Sequence, residues 1–167
     1  TAEYAIRNFD SARLTVSSLE LIEPLLTQVL GYELVEHKEN LYLFAVPDMT
    51  RAAYLEVEVA AGPLGATGAG TVHHIAFTAT TEDHQLQLRD TVMSLGLHPT
   101  TVIDRYYFKS VYFRTPAGIL FELATEGPGF TADEKEAVLG QKLALPPFLE
   151  DQREDIEATL PPINLHG

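Results

Sequence analysis

The segment Val72-His73-His74-Ile75-Ala76-Phe77 sets two imidazoles at the start of an apolar run, and Gly118-Ile119-Leu120-Phe121-Glu122-Leu123 sets one carboxylate inside another. Side chains alternate between faces along a strand. In an ideal strand His74, Ala76 and Thr78 share one face and His73, Ile75 and Phe77 the other, while Leu120, Glu122 and Ala124 lie opposite Ile119, Phe121 and Leu123. A glutamate between Phe121 and Leu123 needs a cation, a proton or hydrogen bonds, because burying an unpaired carboxylate is costly. Neutral imidazole with carboxylate suits a divalent transition metal. Iron(II) is the foremost case, held by two histidines and one carboxylate with positions left open for substrate and dioxygen. On these residues alone, a hydrogen-bonded buried His–Glu pair without metal is the alternative.

The elements that position these residues occur twice. Residues 11–16 read as a strand, and Ser17-Ser18 can cap a helix carrying Leu19, Ile22, Leu25, Leu26, Val29 and Leu30, with Pro24 delaying or bending it and Gly31 ending it. Strands are expected near 32–37, 41–46 and 53–60. The second unit has a strand over 71–79, a helix from about Glu82 to Leu95 stopped by Gly96, and strands near 98–103, 109–114 and 118–125. Thr115-Pro116-Ala117-Gly118 forms the turn before the last strand. The units align at Thr15 with Thr78, at Leu30-Gly31 with Leu95-Gly96, and at Leu55-Glu56-Val57 with Phe121-Glu122-Leu123. The expected fold is α+β: tandem β-α-β-β-β modules, 1–60 and 71–130, forming a curved mixed sheet. A glycine-rich linker spans 61–70, and a helical tail spans 131–167 with short amphipathic helices over 132–143 and 149–160.

Composition narrows the function classes. Hydrophobic content of 46% with 21% charged residues is that of a globular protein. A net charge of -13 argues against a nucleic-acid partner, whose phosphates it would repel. No apolar run reaches the roughly 18 residues of a membrane span. With no cysteine in the chain, any metal sits on His and carboxylate ligands. A cytoplasmic location is expected, and a homo-oligomeric state. A chain that opens at Thr1 and soon reads as strand is expected to be a fragment of a longer one.

With these residues in place, the chain resembles the glyoxalase, bleomycin-resistance and extradiol dioxygenase superfamily, the vicinal oxygen chelate fold. GAGTVHHIAF, VIDRYYFKSVYFRTPAGILFELATEGPGF and LALPPFLEDQREDIEATLPP resemble, more narrowly, the C-terminal half of ring-cleaving dioxygenases acting on hydroquinones. The resemblance implies that His74 and Glu122 are metal ligands and that His73, Arg105 and Tyr112 line the site and handle substrate oxygens. Physically, Tyr112 can exchange a hydrogen bond, Arg105 can hold an anionic oxygen and His73 can shuttle a proton. Singly, Tyr112 would more often be a packing residue and Arg105 a surface charge. His73 faces away from His74 in an ideal strand, so its role needs a bulge or special loop geometry.

The pattern departs from the family in two respects. The position matching His74 in the first module is Ser11, a poor ligand, and Glu56, matching Glu122, is expected in a salt bridge or facing solvent. The resembled enzymes are about twice as long and carry their third ligand, a histidine, in the N-terminal half. A missing half or a partner chain would then complete the site. His37, His84, His98 and His166 fall on loops, a helix face and the terminus and read as solvated. Lys109 stands where the resembled enzymes often carry His, an exchange that bears on substrate choice. The expected activity is ring cleavage of a hydroquinone or catechol with iron(II), or manganese(II), and dioxygen. A glyoxalase-type isomerase or lyase, a non-enzymatic ligand-binding module and a chain with a dead site are the alternatives.

Overall fold

The computed structural model describes residues 4–5, 9–49, 53–63 and 65–161. Strands β1 (Ser11–Val16), β2 (Glu33–Lys38), β3 (Leu41–Ala45) and β4 (Tyr54–Val59) form one four-stranded sheet in the order β1-β4-β3-β2. Strands β5 (Ile75–Ala79), β6 (Ile103–Asp104), β7 (Lys109–Arg114) and β8 (Leu120–Thr125) form a second in the corresponding order β5-β8-β7-β6. In each sheet the first and last strands run parallel and the remaining pairs antiparallel. The two mixed sheets are those of the tandem α+β modules expected from the sequence, with few helices and a short helix near the C-terminus.

Period-two burial explains the strands. Leu14 and Val16 of β1 and Leu55 and Val57 of β4 are buried while their neighbours are less so; on β7 Val111 and Phe113 enter the core, and Ser110 is buried on the other face. One core serves both modules: Ile22, Leu26, Phe44 and Val57 of the first pack in a single cluster with Val92, Val111, Phe121 and Leu123 of the second. Helix α1 (Glu82–Ser94) lies over β5, β7 and β8. Its N-cap Thr81 accepts a hydrogen bond from the His84 backbone N–H at 3.0 Å, satisfying one of the donors a helix start leaves open. Gly96, at φ 79°, takes the left-handed conformation that ends the helix.

Several expected elements are shorter or different. The first-module helix is a single turn at Leu19–Leu21 followed by a wide π-type turn over Leu25–Val29, with Pro24 at its N-cap. Pro24 has no N–H to give, and the helix opens after it: Leu30 N–H bonds five residues back, to Leu25 C=O, at 3.1 Å. Residues 71–74 are not strand: continuing the register back from Ile75 and Phe121, residues 71–73 would meet residues 117–119, ahead of β8. The strand expected over 98–103 shrinks to β6. Thr100 is bonded to Tyr112 by its N–H at 2.9 Å and by its hydroxyl at 3.0 Å, and Pro99 has no N–H to give to a ladder. The helix expected over 132–143 is replaced by short 3-10 turns at Phe130–Ala132 and Glu136–Val138, where no residue is buried. Without an apolar face held by the core, so short a helix does not persist. The second tail helix is a 3-10 turn over Pro147–Gln152 running into α2 (Arg153–Thr159). Arg153 fastens it, reaching Glu150, Glu157 and the Leu143 carbonyl. No helix among the described residues is long and apolar enough to cross a membrane.

Candidate metal centre

The turn Thr115–Gly118 sets the register of the site. Gly118 N–H donates to Thr115 C=O at 2.8 Å, and Gly118 adopts φ 81°, a conformation that glycine reaches freely. Arg114 then pairs with Leu120, and counting back along both strands brings Tyr112 opposite Glu122 and Ser110 opposite Ala124. On the other side of β8, Glu122 pairs in parallel with Ala76. Tyr112, Ser110, Glu122 and Ala76 therefore share the sheet face turned away from α1, while Val111, Phe113, Phe121 and Leu123 turn into the core.

His74 reaches this face from the residue before β5. Its Nε2 lies 2.7 Å from Glu122 Oε2, with Glu122 only 3% exposed and His74 32% exposed. The other carboxylate oxygen, Oε1, accepts a short hydrogen bond from the buried Ser110 hydroxyl. His73 Nδ1 lies 2.8 Å from His74 Nδ1, and the two rings stand edge to face at 86°. Because residues 73 and 74 precede the strand, alternation does not separate them, and the loop geometry required for a His73 role is present. A carboxylate accepts, so the hydrogen bond to Glu122 runs from His74 Nε2–H, and in that tautomer His74 Nδ1 can accept a hydrogen bond from His73 Nδ1–H. Tyr112 packs edge-on against His74 with ring centroids 5.7 Å apart. Burial raises the Tyr112 hydroxyl pKa above its ordinary value; a hydrogen bond to Ser110 lowers it, Glu122 adds to the rise, and the positive charge of Arg105 opposes it. Arg105 itself is exposed, on the loop between β6 and β7.

The structure thus brings His73, His74, Tyr112 and Glu122 together and sets Arg105 within electrostatic reach. It adds Ser110, which the sequence reading passed over. The signal for Ser110 was its parity with Tyr112 on β7, two residues away. Lys109 lies on the opposite side: it turns toward α1, where its Nζ meets Glu82 Oε1 at 2.6 Å at a cleft of about 490 Å³ that Tyr106, Phe108 and Pro128 also line. Among the described residues no group of three or more His, Cys, Asp or Glu is placed to hold a metal ion. His37 stacks on Tyr42 at 4.1 Å in β2, His84 sits in the first turn of α1 accepting from Thr80, and His98 is exposed. His166 lies outside the described residues.

The first module shows what the same frame looks like without the pair. Glu56 is salt-bridged to its register partner Arg13 at 2.7 Å, the first of the two situations expected for it. The equivalent partner of Glu122 is Ala76, a methyl group that leaves the carboxylate to His74. Ser11, in the place of His74, is exposed.

Comparisons with known proteins agree with this architecture. The chain is 38% identical over 167 residues to MhqA of Bacillus subtilis, named "Putative ring-cleaving dioxygenase", covering 96% of this chain and 53% of that protein. It is 32% identical over 164 residues to the chlorohydroquinone/hydroquinone 1,2-dioxygenase of Sphingobium indicum, covering 95% of this chain and 50% of that one. The crystal structure of a "putative dioxygenase" from Bacillus subtilis superposes with a TM-score of 0.85 at 34% identity, over 95% of this chain and 51% of that one. The chain spans about half the length of the curated relatives it matches. Residues 8–123 match the model of the Glyoxalase/Bleomycin resistance protein/Dioxygenase superfamily, and the chain belongs to that superfamily.

Proposed function

We propose that this chain is part of a metal-dependent, extradiol-type dioxygenase that cleaves the ring of a hydroquinone or catechol, with His74 and Glu122 as two of three protein ligands to a divalent ion. The observation that carries this is the 2.7 Å convergence of His74 Nε2 and Glu122 Oε2, on a carboxylate 3% exposed. One imidazole nitrogen and one carboxylate oxygen, with no thiolate, fit iron(II), with manganese(II) as the alternative. The names of the relatives support a dioxygenase acting on hydroquinone-like rings. A third ligand, a histidine, comes in this reading from residues outside the chain or from a partner polypeptide. A cytoplasmic, homo-oligomeric enzyme goes with it.

When bound, the metal supplies Lewis acidity to a ring oxygen and a path for electrons to dioxygen. The side chains do the rest. For His74 Nε2 to ligate, its proton must sit on Nδ1, where His73 Nδ1 is placed 2.8 Å away to accept it. His73 thereby fixes the ring plane, and, with Nδ1 accepting, its neutral ring carries its proton on Nε2, where it can donate a hydrogen bond to a substrate oxygen. Tyr112, kept protonated by burial, donates a hydrogen bond toward a ring oxygen beside Glu122. Arg105 offers a guanidinium to a phenolate formed there.

The test measures metal content and hydroquinone-dependent oxygen uptake in the 167-residue chain and in the longest form its gene encodes. Uptake in the longer form that is lost in His74→Ala and Glu122→Ala is the expected result. Full activity in the isolated short chain overturns the external third ligand. Turnover without oxygen consumption overturns the dioxygenase in favour of an isomerase or lyase.

A further inference from the structure

We infer that Ser110 is a positioning residue for the ion: it occupies Glu122 Oε1 so that Oε2 alone faces His74. This rests on the proposed metal-binding role of His74 and Glu122. Ser110 is fully buried, on the strand next to Glu122, and its hydroxyl donates to Oε1 while Oε2 lies 2.7 Å from the imidazole. A carboxylate on a flexible glutamate stem can present either oxygen, or both. A buried hydroxyl bonded to one of them removes that choice before any ligand arrives. Tyr112, on the same strand face and directly opposite Glu122, has its hydroxyl within reach of both Ser110 and Glu122. The first module points the same way: the β3 residue in the place of Ser110 is Leu41, and there Glu56 is held by Arg13 instead. The hydroxyl accompanies the carboxylate that has no arginine.

The test uses the chain as it stands, titrated with cobalt(II) and followed by the hyperfine-shifted imidazole N–H resonance that a metal-bound histidine gives. This signal reports binding at an imidazole and is blind to cobalt held loosely by the acidic surface. Loss of an outer partner to a metal ligand costs roughly 10–100-fold in affinity. Ser110→Ala is expected to weaken the ion by that factor, with Ser110→Thr restoring it, since Thr keeps the hydroxyl. Ser110→Val has the shape of Thr without the donor and should behave as Ala; this pair carries the test if the alanine variant fails to fold. Affinities of Ser110→Ala and Ser110→Val within twofold of the parent, with His74→Ala abolishing the shifted signal, overturn the role of Ser110 and leave the metal reading standing. A signal unchanged in His74→Ala overturns the metal reading itself.

Discussion

Gln85 ties helix α1 to the two strands that carry the site, and its replacement by Met should unfold the protein measurably earlier. The side chain is fully buried, and its Nε2 donates to Lys109 C=O on β7 and to Leu123 C=O on β8, both at 2.8 Å. Met has a similar length and no donor, so both hydrogen bonds vanish without a large cavity. Each is worth about 1 kcal/mol net, and the two carbonyls left without this donor add to the loss, while removal of the buried Oε1, which has no protein partner, gives part of it back, for a net cost of roughly 2–4 kcal/mol. For a chain of this size each kcal/mol moves the melting temperature by about 2–4 °C, giving a drop of roughly 4–16 °C in a calorimetric scan. Gln85→Glu should be worse than Met, because it turns a carboxylate toward two carbonyl oxygens in the interior. A Met variant melting within about 2 °C of the parent would refute the bookkeeping, as would a Glu variant more stable than Met.

Three further outcomes are expected. Tyr107 is pushed up to about 12, by burial first and then by donating to Asp133 Oδ2 at 2.9 Å. Its contribution to stability is whole below the ordinary tyrosine value near 10 and disappears as pH rises through 12. Tyrosinate absorbance should show a last step that Tyr107→Phe deletes; a last step unchanged in that variant contradicts the assignment. Thr81→Ala removes the cap of α1 and should cost about 1 kcal/mol, seen as a melting shift of a few degrees; no shift would mean the cap is idle. Arg153→Ala should release α2, read as faster amide exchange over Arg153–Thr159 with the sheets unchanged, because its carbonyl and carboxylate partners are all within the tail.

The pairing of His74 with Glu122 was legible because alternation and a short turn are local rules. Glu122 between Phe121 and Leu123 announced a buried carboxylate, and the turn ending at Gly118 fixed which residue of β7 faces it. Ser110 could have been found by the same count. The extent of β5 was not legible, since where a strand stops depends on where its partner begins, and β8 starts only at Leu120. The tail failed for a related reason. Residues 132–143 alternate well enough for a helix, but amphipathicity stabilises one only when the core receives its apolar side, and here it does not. The contact of His73 with His74 escaped the alternating pattern because it lies outside any strand.

The two sheets share one backbone register, so Ser11, Arg13, Leu43 and Glu56 occupy the places that His74, Ala76, Tyr112 and Glu122 occupy in the other. One frame accommodates both sets. The duplicated architecture does not depend on the side chains of this face, since the two sets differ at every one of these places but the glutamate while the fold stays the same. Within this molecule the first module is therefore a built-in reference for what the shared backbone does without the His74–Glu122 pair.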